Sequence, residues 1–145
     1  MNKKITKKEI LKLDENFDVF VKKKMNKLKP SKYLLKFLKS EKKNHNFYIS
    51  TGTPQNKIIK ILKDKKLFFF FKKIYGSPRS KVEHIKEIKK KYKSILFVGD
   101  SFEDYKASVD TKIDFILKIN SENVSLRKKN KTKNIQSFKF LKKYI

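Results

Sequence analysis

The stretch Ile95-Leu96-Phe97-Val98-Gly99-Asp100-Ser101-Phe102-Glu103-Asp104 decides the architecture. Four apolar residues in a row, with no polar alternation, read as a strand buried on both faces, as in parallel sheets. Gly99 stops the run, and Ser101 to Asp104 opens a helix. The same grammar recurs upstream. Phe70 to Tyr75 is stopped by Gly76, a loop follows with Pro78, and Ser80-Lys81-Val82-Glu83 forms a capping box. The helix behind it carries Val82, Ile85, Ile88 and Tyr92 on one side. Further back, Phe47-Tyr48-Ile49-Ser50-Thr51 is stopped by Gly52. Thr53 is placed to cap a helix that begins at Pro54 and buries Ile58, Ile59, Ile61 and Leu62.

Downstream, Ile113 to Ile119 is the last strand expected. From Asn120 the signal fades into lysine and asparagine, with a short helix around Phe138 to Tyr144. At the other end, Thr6 to Glu9 reads as a capping box for a helix striped with Ile10, Leu13, Phe17, Phe20, Val21, Met25 and Leu28. Pro30 closes that helix, and Ser31 caps a second one carrying Leu34, Leu35, Phe37 and Leu38.

Strand, loop and helix in repetition predict an α/β fold with a mainly parallel sheet. The chain has three glycines, each directly after a strand candidate. Ligands of open parallel sheets bind beyond the carboxyl ends of the strands, so Gly52, Gly76 and Gly99 mark three loops converging on one site.

The composition limits the chemistry. With 145 residues there is room for one domain, and with no cysteine there is neither a disulfide framework nor a thiolate metal site. Nothing resembles a signal peptide, and Leu67 to Phe71 is too short to span a bilayer, so a cytoplasmic protein without membrane partners is expected. The net charge of +26 would attract any polyanion, including nucleic acid without sequence preference, at a Kd on the order of 10⁻⁴ to 10⁻⁶ M. Yet Arg79 and Arg127 are the only arginines, and the lysines are spread along the whole chain among asparagine, isoleucine and phenylalanine. Readers of base edges favour the planar arginine fork, so this charge reads as general composition more than as a nucleic-acid face. His45 and His84 are isolated and make no metal cluster, and the sequon Asn123-Val124-Ser125 carries no signal in a cytoplasmic chain.

Each of the three loops admits a chemical and a plain reading. Ser50-Thr51-Gly52-Thr53-Pro54 presents hydroxyls and backbone N–H groups to a phosphate, or is a threonine cap with proline behind it. Lys81 falls in the first turn of its helix, where the macrodipole disfavours a cation unless an anion is placed there; otherwise it is one more surface lysine. Asp100 and Asp104, at the mouth of a buried strand, form a Mg²⁺ platform, or Asp100 or Ser101 caps the helix and Asp104 completes a capping box.

In order, these loops resemble the second, third and fourth motifs of the haloacid dehalogenase (HAD) superfamily. Phe47 to Gln55 is similar to the strand ending in Ser/Thr, in a Ser/Thr-Gly-Thr-Pro-Gln variant of phosphoglycolate-phosphatase-like members. Tyr75 to His84 is similar to the segment carrying the family lysine, and Phe97 to Asp104 to its Gly-Asp-Ser-x-x-Asp acidic motif. The resemblance spans about Lys36 to Ile119. It implies a Rossmannoid three-layer core over residues 36–145, preceded at 1–35 by a helical cap remnant and the return to the core. It further implies a phosphorylated small-molecule substrate, phosphate binding by Thr51 (less so Ser50), Gly52 and Lys81, and charge neutralisation by Lys81. Asp100 would ligate Mg²⁺, with Asp104 supporting the metal or Lys81.

One departure matters. The superfamily nucleophile is the first aspartate of an Asp-x-Asp motif at the end of the first strand, and no Asp-x-Asp occurs in the sequence. The nearest stretch, Ile10 to Phe17, has Lys12 where the nucleophile belongs. Loss of such a residue costs on the order of 10⁴ to 10⁶ in rate. In the family that strand lies between those bearing the second and fourth motifs, so the expected core lacks its first strand and leaves two apolar edges unpaired. A separate N-terminal companion polypeptide, a rearrangement or dimer, and a truncated frame all remain open, as does a non-catalytic polyanion-binding or scaffold role on a hydrolase-derived fold.

Overall fold

The computed structural model describes residues 6–8, 12, 19, 28–130 and 132–145. The chain divides into residues 1–30 and a larger unit, Ser31–Ile145. Of the helix expected with a stripe from Ile10 to Leu28, the apolar positions from Ile10 to Met25 lie outside the described residues, as does Glu9 of the capping box at Thr6 to Glu9. Among the described residues no helix is long and apolar enough to cross a membrane.

The larger unit alternates helix and strand: α1 (Lys32–Glu41), β1 (Phe47–Pro54), α2 (Gln55–Asp64), a 3₁₀ turn at Phe68–Phe70, β2 (Phe71–Ser77) and α3 (Lys81–Lys89). It continues with β3 (Leu96–Gly99), α4 (Phe102–Thr111), β4 (Asp114–Lys118), α5 (Val124–Asn130), β5 (Asn134–Ile135) and a 3₁₀ helix at Phe138–Tyr144. All pairings are parallel. α1 lies wholly in this unit because Phe37 and Leu38 are buried in it, Phe37 beside Ile116, Ile135 and Leu141.

Helices cover both faces of the strands. On β1, Ile49 packs with Leu35, Leu62 and Ile74 on the α1–α2 side. Its neighbours Tyr48 and Ser50 point the other way, to Tyr92 and to His84 of α3. On β3, Leu96 and Val98 join the cluster of Phe37 and Ile116, while Phe97 meets Phe115, which in turn meets Tyr105 of α4. The period-2 alternation of a strand thus builds three layers.

Among the described residues the strands form two sheets, β1–β2 and β3–β4–β5. β4, flanked on both sides, has Ile116 and Leu117 fully buried. Every residue of β3 is only half-buried, and no residue of β1 is fully buried, because each has one paired side.

Several local expectations are corrected. Gly52 and Gly76 do not end their strands: β1 runs to Pro54 and β2 to Ser77. The β1–β2 register shifts between Ser50 and Pro54, so Gly52 marks an irregularity in the ladder and not its end. Pro54 occupies the N-cap of α2, and Thr53 stays in the strand. The fading tail contains α5 and β5, and the terminal helix is 3₁₀.

Candidate active site

The turn after β3 is organised by one side chain. Gly99 ends the strand, Asp100 is exposed, and Ser101 is the N-cap of α4. Asp104, only 5% exposed, folds back over this turn. Its Oδ2 accepts the backbone N–H groups of Asp100 and Ser101, both at 3.1 Å, and the Ser101 hydroxyl at 2.8 Å. Ser101 Oγ accepts the Asp104 N–H in return, completing a capping box. A Cβ at position 99 would overlap Asp104, with Oδ2 at 2.7 Å, so glycine is required there for close approach.

The other oxygen of Asp104 reaches a second element: Lys81 Nζ lies 2.5 Å from Oδ1. Lys81 is the first residue of α3, behind the N-cap Ser80, whose capping box with Glu83 is formed. A cation at a helix N-terminus is unfavourable, and the buried carboxylate offsets it. Asp104 therefore completes the capping box and pairs with Lys81 at once, which leaves neither of its oxygens free.

Asparagines after β4 hold Asp100. Asn123, largely buried, donates from Nδ2 to the carbonyls of Asp100 (2.8 Å) and Lys118 (2.9 Å), and its Oδ1 accepts the Asn120 N–H at 2.9 Å. Asn120 Nδ2 lies 3.4 Å from Asp100 Oδ2. Sequence reasoning missed both residues, because nothing local distinguishes them from the other asparagines of the tail.

On β1, Thr51 Oγ1 accepts the Thr53 N–H and donates to Thr53 Oγ1, both at 3.2 Å. Gly52 is exposed. Ser50 turns to α3, where its hydroxyl is 2.9 Å from His84 Nδ1. His84 is fully buried and stacks on Tyr75 at 5.1 Å, and its Nε2 has no hydrogen-bond partner among the described residues. Burial, aided by the charge of Arg79, holds its pKa below the usual histidine value, against the Gly76 backbone, Glu83 and Glu87. Burial thus favours the neutral imidazole. A Cβ on Gly76 would strike the backbone of Thr53 and Gln55, whose side chain also brackets β2 by accepting the Gly76 N–H and donating to Ile74.

Hydrogen bonds and ion pairs link Lys81, Asp104, Asp100, Asn120 and Asn123. Among the described residues none joins Thr51 to Lys81 or Asp100; the connection runs through Ser50 and His84, one helical turn from Lys81.

No protein-family model matches the chain, and neither does any curated protein sequence. Among solved structures, a haloacid dehalogenase-like family hydrolase from Streptococcus pneumoniae superposes with a TM-score of 0.75 at 15% identity, covering 97% of this chain and 72% of its own. The fold is HAD-like.

Mg²⁺ is the ion that HAD-like hydrolases generally use. It typically takes one or two carboxylates and completes its octahedron with water and substrate phosphate. Among the described residues the exposed Asp100 carboxylate meets only the Asn120 amide, at the limit of hydrogen bonding, so it is the acidic group of this turn open to such an ion. Both oxygens of Asp104 are engaged, and no group of three or more acidic or imidazole side chains among the described residues is arranged to hold a metal.

Proposed function

We propose that this HAD-like chain is a Mg²⁺-dependent phosphomonoester hydrolase module whose aspartate nucleophile is supplied separately. The observation that carries the reading is Lys81, clamped by Asp104 against the very turn that presents Asp100. Phosphoryl transfer depends on positioning and charge stabilisation, and this turn brings a fixed ammonium and an exposed carboxylate together. Lys81 neutralises the phosphoryl oxygens, with Asp104 fixing its direction. Thr51 turns its hydroxyl from Thr53 to a phosphoryl oxygen. Asp100 would hold Mg²⁺, which would supply charge stabilisation to the transferring group.

A nucleophile from outside these 145 residues is supported by the missing Asp-x-Asp and by β1 and β3 each having one unpaired edge among the described residues. An apolar strand from a separate polypeptide, entering there with its carboxyl end toward Asp100, would deliver the nucleophile. The test is phosphate release from an aryl phosphate with Mg²⁺. The chain alone is expected to be inert, and a synthetic peptide bearing an apolar strand followed by Asp-x-Asp is expected to confer turnover that Asp100→Asn abolishes. Robust turnover by the chain alone would remove the companion from the scheme. Failure to bind phosphate in the presence of Mg²⁺ would remove the hydrolase reading itself.

A further inference from the structure

His84 is a fully buried titratable group that the proposed chemistry leaves without a task. As mere core filling it is a poor choice. Its Nε2 has no partner among the described residues, and an apolar side chain of similar size would occupy the space without orphaning a polar atom.

The imidazole instead forms a junction of three elements. Its Nδ1 lies 2.9 Å from the Ser50 hydroxyl on β1, and its ring stacks on Tyr75 of β2 at 5.1 Å. Ser50 and Tyr75 face each other as the last pair of the β1–β2 ladder before the register shifts; the next pair is Pro54 with Ser77. Thr51, Gly52 and Thr53 lie in that interval. His84 therefore holds the ladder at the point where the Thr51 hydroxyl leaves it.

On α3, His84 stands three residues after Lys81, one turn along the same side of the helix. Glu87 ties α3 to β2 through Tyr75 and Lys73, and Lys81 ties it to the turn after β3 through Asp104. Toward β1, among the described residues, Ser50 with His84 is the one side-chain hydrogen bond. Apolar packing of a helix on a strand is non-directional, whereas a hydrogen bond fixes a distance and an angle. Thr51 and Lys81 must close on one phosphate, and a misplacement of about 1 Å in such a site can cost on the order of 10²-fold in rate.

We propose that His84 is a positioning residue of the phosphate site: through Ser50 it fixes how the Thr51 hydroxyl stands relative to the Lys81 ammonium. The inference rests on the phosphohydrolase reading and adds a residue that touches neither the phosphate nor the metal.

Calorimetric titration of the full chain with inorganic phosphate and Mg²⁺ tests it, in roughly 0.3 M salt so that diffuse attraction to surface lysines is screened. His84→Leu is expected to weaken phosphate binding about tenfold. His84→Asn, whose amide places a polar atom where Nδ1 stands, is expected to bring the affinity back to within about threefold of the unmodified chain. Ser50→Ala is expected to lose about as much as His84→Leu, and the double variant no more, because both remove one link. Ile88→Val, which thins the buried side of the same helix without touching Ser50, is expected to change the affinity by less than about twofold. Equal binding by the unmodified chain, His84→Leu and Ser50→Ala would overturn the assignment and leave the hydrolase reading standing. So would losses that multiply in the double variant, or a loss in Ile88→Val as large as in His84→Leu. If His84→Leu does not fold, Ser50→Ala and His84→Asn decide: loss in the first with retention in the second supports the assignment, and unchanged affinity in the first overturns it. If the unmodified chain binds no phosphate, both readings fall together.

Discussion

At Asp104, one oxygen receives Lys81 and the other receives three donors from the start of α4. Asp104→Ala removes a buried ion-pair partner and a helix cap at once, and is expected to lower unfolding stability by about 3 kcal/mol in urea titrations. Asp104→Asn keeps an acceptor for the cap but not the charge opposite Lys81, so its loss should be smaller. His84 makes a different prediction. Its imidazole is buried against Ser50 and Tyr75 and faces Arg79, Glu83 and Glu87. Because its folded pKa lies below the unfolded value of about 6.5, the unfolded chain takes up a proton first as pH falls, and stability drops below that pH. Thermal melts between about pH 8 and pH 5 should show this fall, and His84→Gln should flatten it. Glu87 acts in a separate window. Lys73, Arg79 and Tyr75 hold its pKa down to about 2, so its contribution is complete above the ordinary glutamate range and is lost only as pH falls toward 2.

The three glycines near the strand ends are not equivalent. A side chain at Gly52 would meet open space, whereas one at Gly76 would strike Thr53 and Gln55 backbone and one at Gly99 would displace Asp104. Gly52→Ala is therefore expected to change stability by less than about 0.5 kcal/mol, and Gly76→Ala to cost about 1–3 kcal/mol, both read from denaturant melts. Gly99→Ala should additionally free Lys81, seen as faster exchange of the α4 N-terminal amides. The sequence showed glycine after each β-prone run but not why it was needed: at Gly76 and Gly99 the reason is an approach from a residue on another element. The element boundaries that were legible, α3 and α4, announce themselves by capping boxes whose partners are three residues apart. β5 was not legible, because a two-residue strand has no periodicity of its own and exists by pairing with β4.

In the larger unit, among the described residues, the two sheets share no strand pairing. Backbone amides of β3 and the outer side of β1 should exchange faster than those of β4, and a companion strand that fills the break should protect both. Hydrogen exchange with and without the Asp-x-Asp peptide measures this directly, and protection confined to one strand would contradict insertion between them. The amino-acid sequence by itself determined the α/β alternation, the two capping boxes and the three loops that carry hydroxyl, ammonium and carboxylate, since these are set by neighbours within a few residues. Only the tertiary structure decided that Lys81 pairs with Asp104 across 23 residues, that Ser50 meets His84 across 34, and that Asn123 anchors Asp100. Such partners are chosen by which helix lies against which strand, and no local pattern specifies that.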